Sequence, residues 1–452
     1  MSFMEGFDLP SKLLSALRAA ADTVRGHDFI QCYSHFDADG ITAAAIISKA
    51  LLREGKEFRM TIFPTLNEEQ MKTIEETPSE CVLITDLGAS YIKRFDALPC
   101  DAVVLDHHTV KDQAEKAVYA NPHLYGIDGM TSGCGATMAF LFAVTLDGSN
   151  WDLAPLALAG MAGDRQHING LSGLNAFVLS GAEQRGLAEE RPGSLIPPGK
   201  LSESLYLSTD PYIRGVSGSE TGTAALLADA GISGDRSQAD LTEEEKDRLS
   251  SLIALKLISQ GVTREKLEEL ARTRYWLPGW RTDAESLSGV LNAAGRSGEA
   301  GLGVAAGMGD AESLKAAEEI DRASSRELLE AVLAVDREGL VQMENIQWFD
   351  SSVVGFTGMV CGTAMSYFAD PSKPTVGVNT SDPKANASSR ATFSLLEQGV
   401  DLAGAMAEAA QAAGGEGGGH RIAAGGSFPS ERLQDFLKAA DEAVGRQKKM
   451  KN

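Results

Sequence analysis

Short apolar runs and helical periodicities alternate through the first third of the chain. Residues 29–34 (FIQCYS) make an apolar, β-prone run that breaks at 35–40 (HFDADG), and the apolar positions of 41–53 (ITAAAIISKALLR) then recur at helical spacing. A second strand is expected at 58–63 (FRMTIF), followed by a helix at about 67–76. Two further short apolar runs, 81–86 (CVLITD) and 101–105 (DAVVL), lead into acids, and helices are expected at 135–146 and 152–162. Strands separated by helices predict an α/β fold with a doubly wound, mainly parallel sheet. In such sheets ligands bind beyond the carboxyl ends of the strands.

The pattern changes after residue 194. Residues 195–208 hold Pro, Gly and Ser, and 209–282 hold acidic helical stretches such as 241–259, which opens Leu-Thr-Glu-Glu-Glu-Lys. A mostly helical insertion is expected over 195–282. Helical periodicity resumes over 283–345 as a connector that completes the first domain (1–194). The segment 346–447 reads as a smaller α/β domain, with β-like runs at 352–361 and 374–379, a helix at about 401–413, a glycine run at 414–419 and a helix at 430–445. A basic tail, 448–452, follows. A cleft between the two α/β domains is the expected working surface.

Composition narrows the class. With 452 residues, two or three domains are expected, and 43% hydrophobic with 23% charged residues is typical of soluble globular proteins. The N-terminal segment MSFMEGFDLPSKLLSAL is amphipathic and lacks a cleavage-site pattern, and no apolar run is long enough to span a bilayer. Cys32, Cys81, Cys100, Cys134 and Cys361 are scattered without a C-x-x-C pair, which suggests reduced thiols in a cytoplasmic protein. A net charge of −22 argues against an extended nucleic-acid surface. It does not speak against a local site, because screening confines fields to about 8–10 Å.

The candidate chemistry sits where strands end. His35-x-Asp37-x-Asp39 lies at a strand-to-helix turn with Gly40 behind it. Asp86 follows one strand, Asp106-His107-His108 follows another, and Asp164 follows the 152–162 helix. A parallel sheet brings such ends to one edge. Carboxylates crowded there repel one another and raise each other's pKa, and a pair of divalent cations removes the repulsion. Mixed oxygen and nitrogen donors suit Mn²⁺, with Mg²⁺ as the second candidate. Gly133-Cys134-Gly135 lacks the third glycine of a dinucleotide loop and is expected to start the 135–146 helix. His27 and His123 read as structural or exposed, and His167 as a loop residue or a neighbour of the site.

At these residues the sequence resembles the DHH phosphoesterase superfamily: HFDADG at 35–40, Asp86, DHH at 106–108 and Asp164 match its motifs in order. The resemblance implies that His35, Asp37 and Asp86 hold one metal ion and Asp39, Asp86, His107 and Asp164 the other. It also implies that His108 faces the substrate phosphate and that Asp106 orients His107. Gly417-Gly418-Gly419-His420, with Ser388-Ser389-Arg390 upstream, resembles the superfamily's DHHA1-type substrate-binding domain, which implies substrate contacts from Ser389, Arg390, the glycines and His420. Leu291 to Arg296 (LNAAGR) resembles the stretch joining the domains of RecJ-type exonucleases, which implies Arg296 toward the nucleic-acid backbone; the plainer reading of Gly295 is a helix C-cap.

The middle segment, including 210–222 (DPYIRGVSGSETG), is similar to archaeal RecJ-like proteins, the GINS-associated nucleases. The implied activity is a Mn²⁺-dependent, single-strand-specific exonuclease on DNA or RNA. Attack by a metal-bound hydroxide would release mononucleotides, in replication or repair. Alternatives are a phosphodiesterase for short oligonucleotides or cyclic dinucleotides, and a replisome subunit binding GINS and the replicative helicase. No OB-type nucleic-acid domain is seen after 447, so strand grip is expected from the domains themselves or from a partner.

Overall fold

The computed structural model describes residues 9–451; residues 1–8, which open the amphipathic N-terminal segment, and Asn452 of the basic tail lie outside the described residues. The chain divides into two compact units. The first comprises the residues up to Pro192 and Thr273–Arg322, the second Gly193–Arg272 and the residues from Ala323 on.

The first unit opens with α1 (Ser11–Arg25), β1 (Phe29–His35), α2 (Ala38–Arg53), β2 (Glu57–Phe63), α3 (Glu68–Glu76), β3 (Cys81–Thr85), α4 (Ile92–Asp96), β4 (Asp101–Leu105) and β5 (Val118–Ala120). It continues with α5 (Gly135–Leu146), α6 (Ala154–Gly163), α7 (Gly173–Glu183) and β6 (Glu189–Arg191). The sheet order is β2-β1-β3-β4-β5, and every pair is parallel. Successive side chains of a strand point to opposite faces, and both faces are covered. Cys32, Leu83 and Val103 enter one core with residues of α1, α2, α5 and α6. Tyr33, Ile84 and Val104 enter the other with Met71, Ile74 and Phe95 of α3 and α4. This is the doubly wound α/β arrangement expected from the alternating pattern. Cys32 and Cys81 are fully buried, and burial pushes both thiols up, Cys81 to about 12. Helix α5 is apolar nearly all round and almost wholly buried, as such a composition requires.

The second unit begins with four helices, α8 (Leu201–Leu207), α9 (Glu220–Ala230), α10 (Glu243–Gln260) and α11 (Arg264–Leu270). Helix α10 starts with a full capping box between Thr242 and Glu245 and stops at Gly261, whose φ is 92°. The chain then re-enters the first unit through β7 (Arg274–Leu277), β8 (Thr282–Asp283), α12 (Ala284–Arg296) and α13 (Ala300–Gly307), and α14 (Ala311–Glu338) contains the boundary at 322. The rest of the second unit is β9 (Val341–Gln342), β10 (Gln347–Asp350), α15 (Thr357–Tyr367), β11 (Thr375–Asn379), β12 (Lys384–Arg390), α16 (Phe393–Glu397), α17 (Leu402–Ala412), β13 (Glu416–Gly419), β14 (Ala423–Pro429) and α18 (Leu433–Lys451). Its sheet runs β13-β14-β12-β11-β10-β9; only β10 and β11 pair parallel.

Two expectations are corrected here. The apolar run 352–361 is not a strand. Gly355 and Phe356 both take positive φ, and α15 then buries Val360, Cys361, Ala364, Met365 and Tyr367 at helical spacing. The tail from 448 is helical as far as Lys451. Among the described residues no helix is long and apolar enough to cross a membrane.

Candidate metal centre

The order β2-β1-β3-β4-β5 reverses direction between β1 and β3, and an open α/β sheet is splayed at the carboxyl end of such a switch point. The first two acidic motifs lie there. His35 ends β1, the Asp37 carboxylate N-caps α2 by accepting from Gly40 N at 3.0 Å, and Asp39 stands in the first turn of α2. Asp86 leaves β3 with φ 55°, a left-handed conformation that Asp tolerates better than most side chains. A buried hydroxyl pair ties the two strand ends together: Thr85 Oγ1 donates to Ser34 Oγ at 2.8 Å, and Ser34 Oγ donates to Gly40 O at 2.7 Å. Gly40 itself is helical. Its lack of a side chain serves contact, not turning, because a Cβ there would lie 2.3 Å from the His35 carbonyl oxygen.

Three donor groups result among the described residues: one joins Asp86, Asp106, His107 and His108, and the other two form a pair of sets. Ligand atoms of His35, Asp37 and Asp86 lie within 4.8 Å of one another, as do those of Asp39, His107 and Asp164. Asp86 touches both: its Oδ2 is 3.5 Å from His35 Nδ1, and its Oδ1 is 3.2 Å from His107 Nε2. His107 Nε2 is also 3.4 Å from Asp164 Oδ2 and 3.8 Å from Asp39 Oδ2. The His107 Nδ1–H donates to Gly129 O at 2.8 Å, which fixes the tautomer and leaves Nε2 free for a ligand.

The residues fit divalent cations. Asp86 is 2% exposed, and its Oδ2 has no hydrogen-bond partner among the described residues. A buried carboxylate oxygen with no hydrogen bond, and with only the His35 imidazole 3.5 Å away, is costly unless a cation meets it. The surrounding backbone is close-fitting: a Cβ on Gly135 would lie 2.6 Å from Asp86 Cβ, and one on Gly160 2.7 Å from Asp39 Oδ1. The amides of Gly135 and Ala136, at the start of α5, donate to the two oxygens of Asp39 at 2.6 and 2.8 Å. The start of α5 was legible in the sequence, but this clamp was not.

The electrostatics agree. Burial, with Asp86 beside it, pushes the Asp39 carboxyl up to about 7, and burial with Asp39 nearby does the same to Asp164. Burial would lower the His35 imidazole, but Asp37 and Asp86 beside it carry it up to about 10. His107, despite its burial, is raised well above its ordinary value by Asp86, Asp164 and Asp39. The charge balance is that of a site expecting positive charge.

The remaining candidates fall out as follows. Asp106 holds both histidines: its Oδ1 accepts from the His107 backbone N–H at 2.8 Å and from His108 Nδ1 at 2.8 Å, so the imidazole it meets is that of His108, and its Oδ2 accepts from Ala89 N at 2.6 Å. Burial alone would raise the Asp106 carboxyl, yet these bonds and the histidines hold it down, to about 2. The His108 side chain is half-exposed, with Nε2 left over. Arg296 is exposed in the last turn of α12. Gly295 does not end that helix; a Cβ there would meet the Phe36 carbonyl oxygen at 1.8 Å, so its role is to seat α12 against the first motif. His167 is buried, with Nε2 2.9 Å from Glu285 Oε1.

The DHHA1-type candidates belong to the second unit, where three neighbouring strands hold them. Arg390 pairs with Ala423 and Gly419 with Ala424. His420 is exposed, its N–H donating to Ala423 O at 2.9 Å. The glycine run is the edge strand β13, not a linker. Gly417 packs on the Met406 carbonyl and Gly418 faces open space. Ser389 is corrected: it is fully buried and its hydroxyl donates to Ala424 O at 2.9 Å. Alternation along β12 puts Ser388 on the same face as Arg390.

Comparison with known proteins gives matches to the DHH family, N-terminal domain, over residues 29–161 and to the DHHA1 domain over 351–446. An uncharacterized protein of Methanocaldococcus jannaschii is 30% identical over 440 residues, 95% of this chain and 96% of that protein. Among solved structures, RecJ from Thermus thermophilus in complex with Mn²⁺ is 18% identical, with a TM-score of 0.61. The match covers 97% of this chain but only 55% of that RecJ. CDC45 from Entamoeba histolytica is 11% identical, with a TM-score of 0.64, covering 96% of this chain and 99% of that one. At these identities the two structures speak for the fold, whereas the family matches and the methanogen relative speak for descent. The chain belongs to the DHH family, carrying the family's N-terminal domain and a DHHA1 domain in a fold shared with RecJ.

Proposed function

We propose that this chain is a phosphodiesterase using two divalent cations, and that it acts as a single-strand exonuclease on DNA or RNA. The observation that supports this most is the sharing of Asp86 between two donor sets at the switch point of the sheet. His35, Asp37 and Asp86 would hold one cation, and Asp39, Asp86, His107 and Asp164 the other. Mn²⁺ suits the mixed donors, and Mg²⁺ is the second choice. Such a pair, when bound, supplies a strong nucleophile at neutral pH and neutralises phosphoryl oxygen.

The chain's other residues bind and orient. His108, its Nδ1 tied to Asp106, can hold a proton on Nε2 against a phosphoryl oxygen or the departing oxygen. Arg390, beside Ser388 on one face of β12, offers a two-pronged guanidinium to phosphate. The bare backbone of Gly418 and the exposed His420 extend that surface, and Arg296 would meet the strand's backbone. The RecJ of known structure with Mn²⁺ supports the metal choice.

End-labelled single-stranded DNA, RNA and a dinucleotide, incubated with Mn²⁺ or Mg²⁺, test the reading. Mononucleotide release that Asp86→Ala abolishes is expected; no release from any of them in Mn²⁺ overturns it. A second reading, cleavage of very short oligonucleotides or cyclic dinucleotides, is favoured by the net charge of −22, which repels long polyanions away from the site. A large rate preference for dinucleotides would make it the better one. A role beside GINS and the replicative helicase draws on the CDC45-like fold. Retention of every metal-donor residue argues that such a subunit would still be an enzyme, and a pull-down recovering no GINS subunit removes the partner.

A further inference from the structure

Gln166 lies two residues past Asp164, in the turn that ends α6, and nothing in the sequence motifs gives it a role. We propose that Gln166 is a positioning residue whose buried amide sets Asp164 and His107 for one of the two cations. This inference rests on the two-metal reading.

The residue is 7% exposed, and all its amide valences are used. Its Nε2 donates to Asp164 Oδ2 at 3.2 Å and to Gly129 O at 2.9 Å. Its Oε1 accepts from Gly133 N at 3.1 Å and from Asn175 Nδ2 at 2.7 Å. Asn175 is in turn fixed, because its Oδ1 accepts from Thr137 Oγ1 at 2.7 Å. Only one orientation of each amide satisfies these partners: a flipped Gln166 would set its oxygen against a carboxylate and a carbonyl and its NH₂ against two donors. The network therefore points a donor, never an acceptor, at Asp164.

The Gly129 carbonyl joins the second ligand to the same device. It accepts from Gln166 Nε2 and also from His107 Nδ1, so one amide steadies the oxygen that holds the imidazole and the carboxylate 3.4 Å from that imidazole. Arg165, at φ 58°, turns the chain back so that the next side chain points inward. At its far end the relay reaches the start of α5: Thr137 Oγ1 is 3.4 Å from Cys134 Sγ, and the next residue, Gly135, donates its amide to Asp39. All three members of the Asp39, His107 and Asp164 set are thus bound into one buried polar network. Gln166 bonds neither His35 nor Asp37; these two reach the network only through the shared Asp86, whose Oδ2 is 3.5 Å from His35 Nδ1 and whose Oδ1 is 3.2 Å from His107 Nε2.

The difference between the two sets is what the test reads. Mn²⁺ is titrated calorimetrically into the metal-free full chain as wild type, Gln166→Met, Gln166→Glu and Asn175→Ser. Wild type should take up two equivalents. Gln166→Met keeps the shape and removes the donor, and should weaken one equivalent about tenfold while leaving the other in place. Gln166→Glu should weaken the same equivalent further, and Asn175→Ser, which takes away one of the four partners that hold the amide, should weaken it less. Thermal unfolding of the metal-free proteins reports whether folding is lost; if Gln166→Met fails to fold, Asn175→Ser carries the test. Isotherms that superimpose on wild type, or a loss shared equally by both equivalents, overturn the positioning role alone. A wild type that takes up no Mn²⁺ overturns the two-metal reading, and this inference falls with it.

Discussion

The two sheets hold their chemistry in opposite ways. In the parallel sheet the donors arrive from four separate strand and helix ends, and Asp39, Asp86, Asp106 and His107 are almost completely buried. In the mixed sheet the candidate residues sit on adjacent strands, and His420 and two of the three glycines are exposed. The first is an electrostatic liability that divalent cations would relieve. The second carries no such crowding: Arg390 donates to Ser389 O at 2.9 Å, and the imidazole of His420 is exposed. On the proposed function, burial would mark the reacting residues and exposure the holding ones.

The largest expected effect breaks the buried side. Asp86→Asn keeps a residue type at ease with φ 55° but removes the shared charge; turnover should fall on the order of a thousandfold, matching several kcal/mol of lost stabilisation, together with Mn²⁺ uptake. Next comes Gly135→Ala, whose Cβ would lie 2.8 Å from Asp86 Oδ1 and 2.9 Å from Asp39 Oδ2. Mn²⁺ affinity measured by calorimetry should drop roughly a hundredfold, although no ligand has been touched. On the exposed side Arg390→Lys keeps the charge and loses the planar fork; KM should rise about tenfold with kcat nearly unchanged. A kcat loss as large as that of Asp86→Asn would erase the contrast between the sheets.

The smallest effect lies away from both. The Asp336 carboxylate accepts from Tyr212 Oη at 2.7 Å and from Arg214, inside the second unit. Burial would raise this carboxyl, but Arg214 and Tyr212 hold it below its ordinary value. The stabilisation is therefore complete above the unfolded carboxylate pKa of about 4 and is lost as pH falls through the lower folded value. Asp336→Asn should cost about 1 kcal/mol in denaturant unfolding at pH 7, since Arg214 is half-exposed and screened, and the gap to wild type should close below about pH 4.

The metal donors were legible because each motif is local: a strand run, an acid, a turn. What closes around them was not. Gly133-Cys134-Gly135 reads correctly as a helix start, but the target of its amides, Asp39, is far away in sequence. Gln166 has meaning only once Gly129, Gly133 and Asn175 are brought beside it. The 352–361 run misleads because a short apolar stretch fits either a strand or a buried helix. Ser388 and Ser389 differ only in parity, and parity cannot be read until the register of β12 against β11 and β14 is known.

One consequence follows from the small sheet of β6, β7 and β8. Arg191 pairs with Arg274, so the chain departs from the first unit and returns to it on neighbouring strands, spaced about 5 Å apart. Topologically, residues 193–272 are the tip of a hairpin. Closing a flexible loop costs only about 0.6 kcal/mol more for each doubling of its length. A change in the length of that excursion would therefore cost the strand pairing at its root little, and Asp164 and the helix that seats the first motif lie outside it.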